Sequence, residues 1–230
     1  MIKAVFFDIG YTLYQDHNAG LRAAKRVSEY LSSIGYYYDV NYLWQLFCKS
    51  REAIRYFGGD DFEPWDFSSL TMLLSSIGIR NPEIVLNAYK EFVEGVSEGL
   101  VLEDDAVDVL EYLRNKGYIL AVVSNMGSYD IVLRILSRDK ILKYFNAIVA
   151  SQMVGWRKPS SKIYEYTLRL LGLNPKETVH VGDDPIADVF GAKKAGLRAI
   201  HKPRPDTPPS PIADAIVIKL SDLKEIIEVL

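Results

Sequence analysis

The chain has 230 residues, of which 49% are hydrophobic and 25% charged, so it is long enough for one elaborated domain or two modest ones. Its formal net charge of -3 argues against a general nucleic-acid-binding or membrane surface. The N-terminal apolar run comes too early for a signal peptide and no apolar stretch reaches spanning length, so we expect a cytoplasmic protein whose oligomeric state stays open.

Residues 2–7, "IKAVFF", predict a buried strand that ends directly before Asp8. Residues 16–100 then show four amphipathic helical patterns and no convincing strand. The first helix is predicted to end at Gly35, and the second to run from Asp39 to Gly58. The third is predicted to end at Gly78, and the fourth to begin at the Asn81-Pro82 pair. The single cysteine, Cys48, falls in an apolar helical pattern, which predicts a packed thiol and excludes both a disulfide framework and a Cys/His zinc site.

Beyond residue 100, short apolar runs alternate with helical patterns. The predicted strands are 118–123, 147–150, 178–181, 198–201 and 215–218. This alternation predicts an α/β fold in which a parallel, Rossmann-like sheet forms the middle of three layers. We therefore expect a core domain of residues 1–15 and 101–230 and an inserted all-helical cap domain of residues 16–100. The proline-rich stretch 202–211 is interpreted as a stiff surface loop.

Polar residues stand where the predicted strands end. In an open parallel sheet, ligands bind beyond the carboxyl ends of the strands. That rule selects the following residues: Asp8, Ser124, Asn125, Lys158, Gly182, Asp183 and Asp184. Two carboxylates brought together in a partly dry cleft call for a cation, and hard oxygen ligands suit Mg²⁺. Lys158 and the Ser124 hydroxyl are placed to meet an anion such as phosphate, so the set predicts metal-assisted chemistry on an anionic substrate.

Four segments resemble, in order, the four signatures of the haloacid dehalogenase superfamily of hydrolases. They are "FFDIGYTL", "VVSN", "RKPSSKIYE" and "VHVGDDPIADVFGAKKAG", each at the end of a predicted strand. The long helical insert between the first two signatures is similar to that of the helical-cap members. The resemblance covers nearly the full chain and implies a hydrolase, most simply a phosphatase acting on a small phosphorylated metabolite.

The resemblance also implies roles for individual residues. Asp8 would be the nucleophile that forms an aspartyl-phosphate, and Lys158 and Ser124 would hold the phosphoryl oxygens with support from Thr12 and Asn125. The Mg²⁺ ligands would be Asp8, Asp183 and the backbone carbonyl of Gly10, with Asp188 ranked next. Asp184 ranks last, because Asp184-Pro185 is a good helix N-cap pair.

Gly10 departs from the family pattern, since phosphatases of the superfamily usually carry a second aspartate there as general acid/base. Its backbone carbonyl can still bind the metal. We therefore expect the glycine to limit which leaving groups the enzyme handles well, rather than to abolish hydrolysis. A replacement donor could come from Asp16 or His17 where the cap begins. Two alternatives stay open: a dehalogenase-like or phosphonate hydrolase, the latter needing a buried cap lysine such as Lys49 or Lys90, and a non-catalytic binding module.

Overall fold

The computed structural model describes residues 1–230. Its eight strands are β1 (Ala4–Phe7), β2 (Tyr14–Asp16), β3 (Leu100–Leu102), β4 (Ile119–Ser124), β5 (Ala147–Ala150), β6 (Thr178–Gly182), β7 (Arg198–His201) and β8 (Ala215–Ile216). Its ten α-helices are α1 (Ala19–Ser33), α2 (Val40–Gly58), α3 (Asp66–Ser76), α4 (Pro82–Gly99), α5 (Ala106–Asn115), α6 (Tyr129–Arg138), α7 (Ser151–Val154), α8 (Ser161–Leu171), α9 (Gly191–Lys194) and α10 (Leu223–Val229).

Six strands form one parallel sheet in the order β5-β4-β1-β6-β7-β8. The strand β1 lies in the interior and is buried along its whole length. Its side chains alternate between the two faces, since Val5 and Phe7 join one hydrophobic cluster while Ala4 and Phe6 join the other. Apolar residues on both faces explain why this strand is a continuous hydrophobic run. The predicted Rossmann-like α/β class is confirmed.

The four helices predicted between residues 16 and 100 are all present. The signals that predicted their ends are visible, because the Asp39 side chain accepts from the Tyr42 N–H and Asn81 accepts from the Glu83 N–H. The helices α1 and α4 pack closely because both present small residues, and a Cβ at Gly95 would overlap the backbone of Ala23. The division into two domains at residues 15/16 and 100/101 stays a prediction.

Three local features differ from the sequence-based expectation. The strands β2 and β3 pair as an antiparallel ribbon where the helical segment leaves and rejoins the sheet. Three-residue strands carry too few positions for a period-two pattern to be recognised. The last strand ends at Ile216 rather than at residue 218. The helix that the Asp184-Pro185 pair predicts begins as a π-helical turn, Pro185–Phe190, before α9. Its Val189 N–H reaches the Asp184 carbonyl five residues back. None of the helices is long and apolar enough to cross a membrane.

Candidate active site

The buried ammonium group of Lys158 stands at the centre of the strand-end cluster. Its Nζ donates to Asp8 Oδ1 at 2.6 Å, to Asp188 Oδ1 at 2.5 Å and to the Val123 carbonyl at 3.0 Å. All three of its protons are therefore used. Burial opposes the charge, but Asp188 and Asp8 outweigh it and raise the pKa of Lys158. The lysine is a fixed cation that joins two of the carboxylates.

Asp188 is the most heavily hydrogen-bonded carboxylate of the site. Besides Lys158, its Oδ1 accepts from His180 Nε2 at 2.9 Å, and its Oδ2 accepts from the Asp184 N–H at 3.0 Å. Burial would raise the pKa of Asp188, yet Lys158 and His180 lower it. Burial also lowers the pKa of His180, whose ring lies edge-on to Tyr164. Asp188 therefore stays ionised and fixes the position of Lys158.

Asp183 is the carboxylate with the fewest partners. It follows β6, is 6% exposed and faces Arg204, whose Nε lies 3.2 Å from Asp183 Oδ2. Burial, Asp8 and Asp188 together raise its pKa to about 8. His201 holds the backbone at this point, because its Nε2 donates to the Asp183 carbonyl while its Nδ1 accepts the Ser210 N–H. The proline-rich loop 202–211 is thus attached to the site rather than lying apart from it.

The site suits a hard divalent cation. Oxygens of Asp8, Asp183 and Asp188 lie within 4.8 Å of one another, and all three residues are buried. Three close carboxylates exceed the charge that Lys158 supplies, which is why burial and mutual repulsion raise the pKa of both Asp8 and Asp183. Oxygen-only ligands with excess negative charge are what Mg²⁺ binds in proteins. Because three hydrogen bonds already occupy Asp188, Asp8 and Asp183 are the freer ligands.

The other predicted residues occupy different positions around this centre. Ser124 and Gly10 lie on the wall of the same cavity. Asn125 brackets the main chain of Lys158, since its Oδ1 accepts the Lys158 N–H at 2.7 Å and its Nδ2 donates to the Lys158 carbonyl at 3.0 Å. Thr12 is fully buried, lies off the cavity wall and has no partner for its hydroxyl. The Asp184 side chain caps the following turn by accepting from the Ile186 and Ala187 N–H groups.

A cavity of about 410 Å³ extends from Asp8 towards the four helices. Part of its far wall is apolar, made by Trp44, Phe47, Phe92 and Val96. Charged residues that the sequence did not identify also line it, namely Arg51, Asp66 and Arg157. Of the proposed replacement proton donors, Asp16 lies on the wall but its Oδ1 accepts the Ala19 N–H. His17, Lys49 and Lys90 do not line the cavity.

Fold and site together define a class of protein: a parallel α/β hydrolase whose acidic centre at the strand ends faces an inserted set of helices. The chain belongs to the haloacid dehalogenase-like hydrolase family, whose model matches residues 5–202. It is 27% identical over 205 residues to a glyceraldehyde 3-phosphate phosphatase of Methanopyrus kandleri, covering 87% of this chain and 84% of the relative. It is 27% identical over 215 residues to (S)-2-haloacid dehalogenase 4A of Burkholderia cepacia, covering 90% and 86%.

Among solved structures, the chain is similar to a haloacid dehalogenase-type phosphatase from Thermococcus onnurineus. The identity is 26%, the TM-score is 0.73, and the match covers 98% of each chain. The predicted family is therefore confirmed, and both phosphatases and dehalogenases occur among its relatives.

Proposed function

We propose that the protein is a Mg²⁺-dependent phosphatase that hydrolyses a small phosphorylated metabolite through an aspartyl-phosphate intermediate. The observation that carries the proposal is the group of three buried carboxylates, Asp8, Asp183 and Asp188, around Lys158. Displacement of halide at carbon has no need of such a cation site, whereas phosphoryl transfer depends on positive charge near the transferring oxygens. The similarity to named phosphatases supports the same choice. The proposal keeps the cytoplasmic location and the small-molecule substrate that the sequence predicts.

In this mechanism Asp8 attacks the phosphorus atom. Lys158 donates to Oδ1, which leaves Oδ2 as the attacking oxygen. A bond forms between Oδ2 and phosphorus while the bond from phosphorus to the leaving oxygen breaks, and that oxygen departs with the electron pair. Water then attacks the aspartyl-phosphate and releases inorganic phosphate, which restores the carboxylate. A bound Mg²⁺, held by Asp8, Asp183 and the Gly10 carbonyl, would neutralise phosphoryl charge.

The other residues at the strand ends, which together form the floor of the cavity, position Lys158 and the phosphoryl group. Asn125 fixes the main chain of Lys158, and Asp188 fixes its ammonium group. The Ser124 hydroxyl, at the end of β4, is placed to donate to a phosphoryl oxygen. Each carboxyl side chain that lines the cavity already has another role, and no imidazole lines it. None of them replaces the general acid that is absent at Gly10, so departure of the leaving group depends on the leaving group's own acidity.

Steady-state kinetics would test this function. An aryl phosphate, an alkyl phosphate and a 2-haloacid are compared, each with Mg²⁺ and with chelator, and Asp8→Asn is the blank. We expect turnover of the aryl phosphate that needs Mg²⁺ and disappears in Asp8→Asn. Halide release that chelator leaves unchanged would refute the phosphatase and support a dehalogenase. Mg²⁺ binding without turnover on a broad panel would support the binding module.

A further inference from the structure

Arginine side chains gather where the helix α2 and the segment after it meet the core. Glu63 is the buried carboxylate at their centre, with a side chain only 1% exposed. It accepts hydrogen bonds from Arg51 on one oxygen and from the Ser151 hydroxyl, at 2.8 Å, on the other. Arg51 also pairs with Asp66. Arg51 is therefore neutralised twice by carboxylates and is not available to another anion.

Arg157 is not neutralised in this way. Its nearest carboxylate oxygen is Glu63 Oε2, at 3.9 Å from Nε, and that oxygen already accepts from Ser151. Its two Nη groups donate no hydrogen bond to the protein, although its side chain is only 26% exposed and lines the cavity that contains Asp8. Asp184 is close enough to act on it electrostatically, but that carboxylate caps the next turn.

The surroundings of Arg157 disfavour its positive charge. Burial lowers the pKa of Arg157, and the neighbouring charges of Arg55 and Arg51 lower it further, against the opposing effect of Glu63 and Asp184. Arg55 has no carboxylate partner, and its buried Nε lacks a hydrogen bond. A half-buried guanidinium that lines a ligand cavity and has free Nη donors is suited to receive a carboxylate or phosphate in bidentate fashion.

We propose that Arg157 forms a second anion subsite, so that the natural substrate carries another acidic group, a carboxylate or a second phosphate, beyond the phosphoryl group that reacts. The proposal rests on the phosphatase function above for the first group. Lys158, the next residue, is already bound to Asp8 and Asp188 at the phosphoryl end of the cavity, so a second acidic group of the ligand would meet Arg157 instead. Trp44 and Phe47 on the same cavity wall indicate that the part between the two ends is a short carbon skeleton.

Non-hydrolysable ligands test the subsite without requiring turnover. Carboxyalkyl phosphonates and alkylene bisphosphonates with two to four carbons, which carry a carboxylate or a second phosphonate as the further acidic group, are compared with alkyl phosphonates of equal length by calorimetry in the presence of Mg²⁺. The proteins are wild type, Arg157→Gln, Arg157→Lys and Arg80→Gln, the last being a control at an exposed arginine without an ion pair. In wild type we expect the best ligand with a second acidic group to bind about 10- to 100-fold more tightly than the alkyl phosphonate of equal length.

That gain should fall at least about tenfold in Arg157→Gln, persist in part in Arg157→Lys and remain in Arg80→Gln. The alkyl phosphonate should bind all four proteins alike, which shows that the fold and the phosphoryl site are intact. An equal gain in Arg157→Gln, no gain at any chain length, or loss of alkyl phosphonate binding as well would overturn the subsite. Absence of aryl-phosphate turnover with the carboxylate gain intact would instead refute the phosphatase and leave the subsite standing.

Discussion

Restoring a carboxyl group at position 10 is the most direct way to ask what its absence does. Gly10 lies on the cavity wall beside Asp8, and its φ lies outside the left-handed region. A Cβ built there has no heavy atom within 4 Å, so a side chain enters open space. The substitution Gly10→Asp should therefore change the chemistry while costing little stability, since no packed group must move.

The expected effect depends on the leaving group. General acid catalysis typically raises a rate about 10²- to 10⁴-fold, which corresponds to roughly 3–5 kcal/mol of barrier. An alkoxide needs a proton as it departs, whereas a phenoxide with electron-withdrawing groups leaves without one. We expect Gly10→Asp to raise kcat for an alkyl phosphate by about 100-fold or more, and to change kcat for the aryl phosphate far less.

The assay measures kcat and KM for both esters at saturating Mg²⁺. Gly10→Asn is the matched control, because its amide has nearly the shape of the carboxyl but cannot transfer the proton. Mg²⁺ saturation is measured for each variant, since a further carboxylate stands near an acidic centre. The same rise in Gly10→Asn, or an equal rise for both esters, would refute the reasoning. So would no rise in a variant that keeps its fold and its Mg²⁺ affinity.

Three further predictions concern packing, charge and positioning. Gly95→Ala should lower the free energy of unfolding in urea by about 1–3 kcal/mol, because its Cβ overlaps the backbone of Ala23, while Gly10→Ala should change it little. Burial raises the pKa of Asp66 to about 6, so the folded state binds the extra proton and wild type should lose stability relative to Asp66→Asn as pH rises from about 4 to 6, by up to about 3 kcal/mol. A pH-independent difference would contradict this. Asn125→Leu should lower kcat about 100-fold on the aryl phosphate through loss of the two bonds to the Lys158 main chain, and an unchanged kcat would exclude that positioning role.

The floor of the site could be predicted because strand direction brings its residues to one edge of the sheet. In a parallel sheet every strand ends at the same edge, and Asp8, Ser124 and Asp183 converge there because β1 lies between β4 and β6. The helices could be predicted equally well, since residues such as Asp39 and Asn81 mark their starts by local hydrogen bonds. These predictions depend on hydrogen bonds that are local in sequence or on the common direction of the strands.

The charged part of the far wall of the cavity could be predicted neither from strand direction nor from local hydrogen bonds. Arg51 and Glu63 are separated by 12 residues, and Glu63 and Ser151 by 88, so no periodic pattern connects them. A helical pattern predicts which face of α2 is buried, but not that a charge at its edge will meet a carboxylate of the next segment. Arg204 was missed for a similar reason, because a proline-rich surface loop gave no sign that it reaches Asp183, and His201, at the end of β7, gave no sign that its side chain bonds the Asp183 carbonyl.

Position 10 and the charged residues of the floor differ in how freely they can change. On the floor, Lys158 connects Asp8, Asp188 and the Val123 carbonyl, so replacing any one side chain there leaves a buried charge without its partner. Position 10 borders the same floor, but a side chain there would enter open space, so exchange between glycine and aspartate would alter proton transfer and leave the packing intact. The range of leaving groups can thus be adjusted separately from nucleophile and metal site. Recognition of the rest of the substrate depends instead on Arg157 and the helices across the cavity.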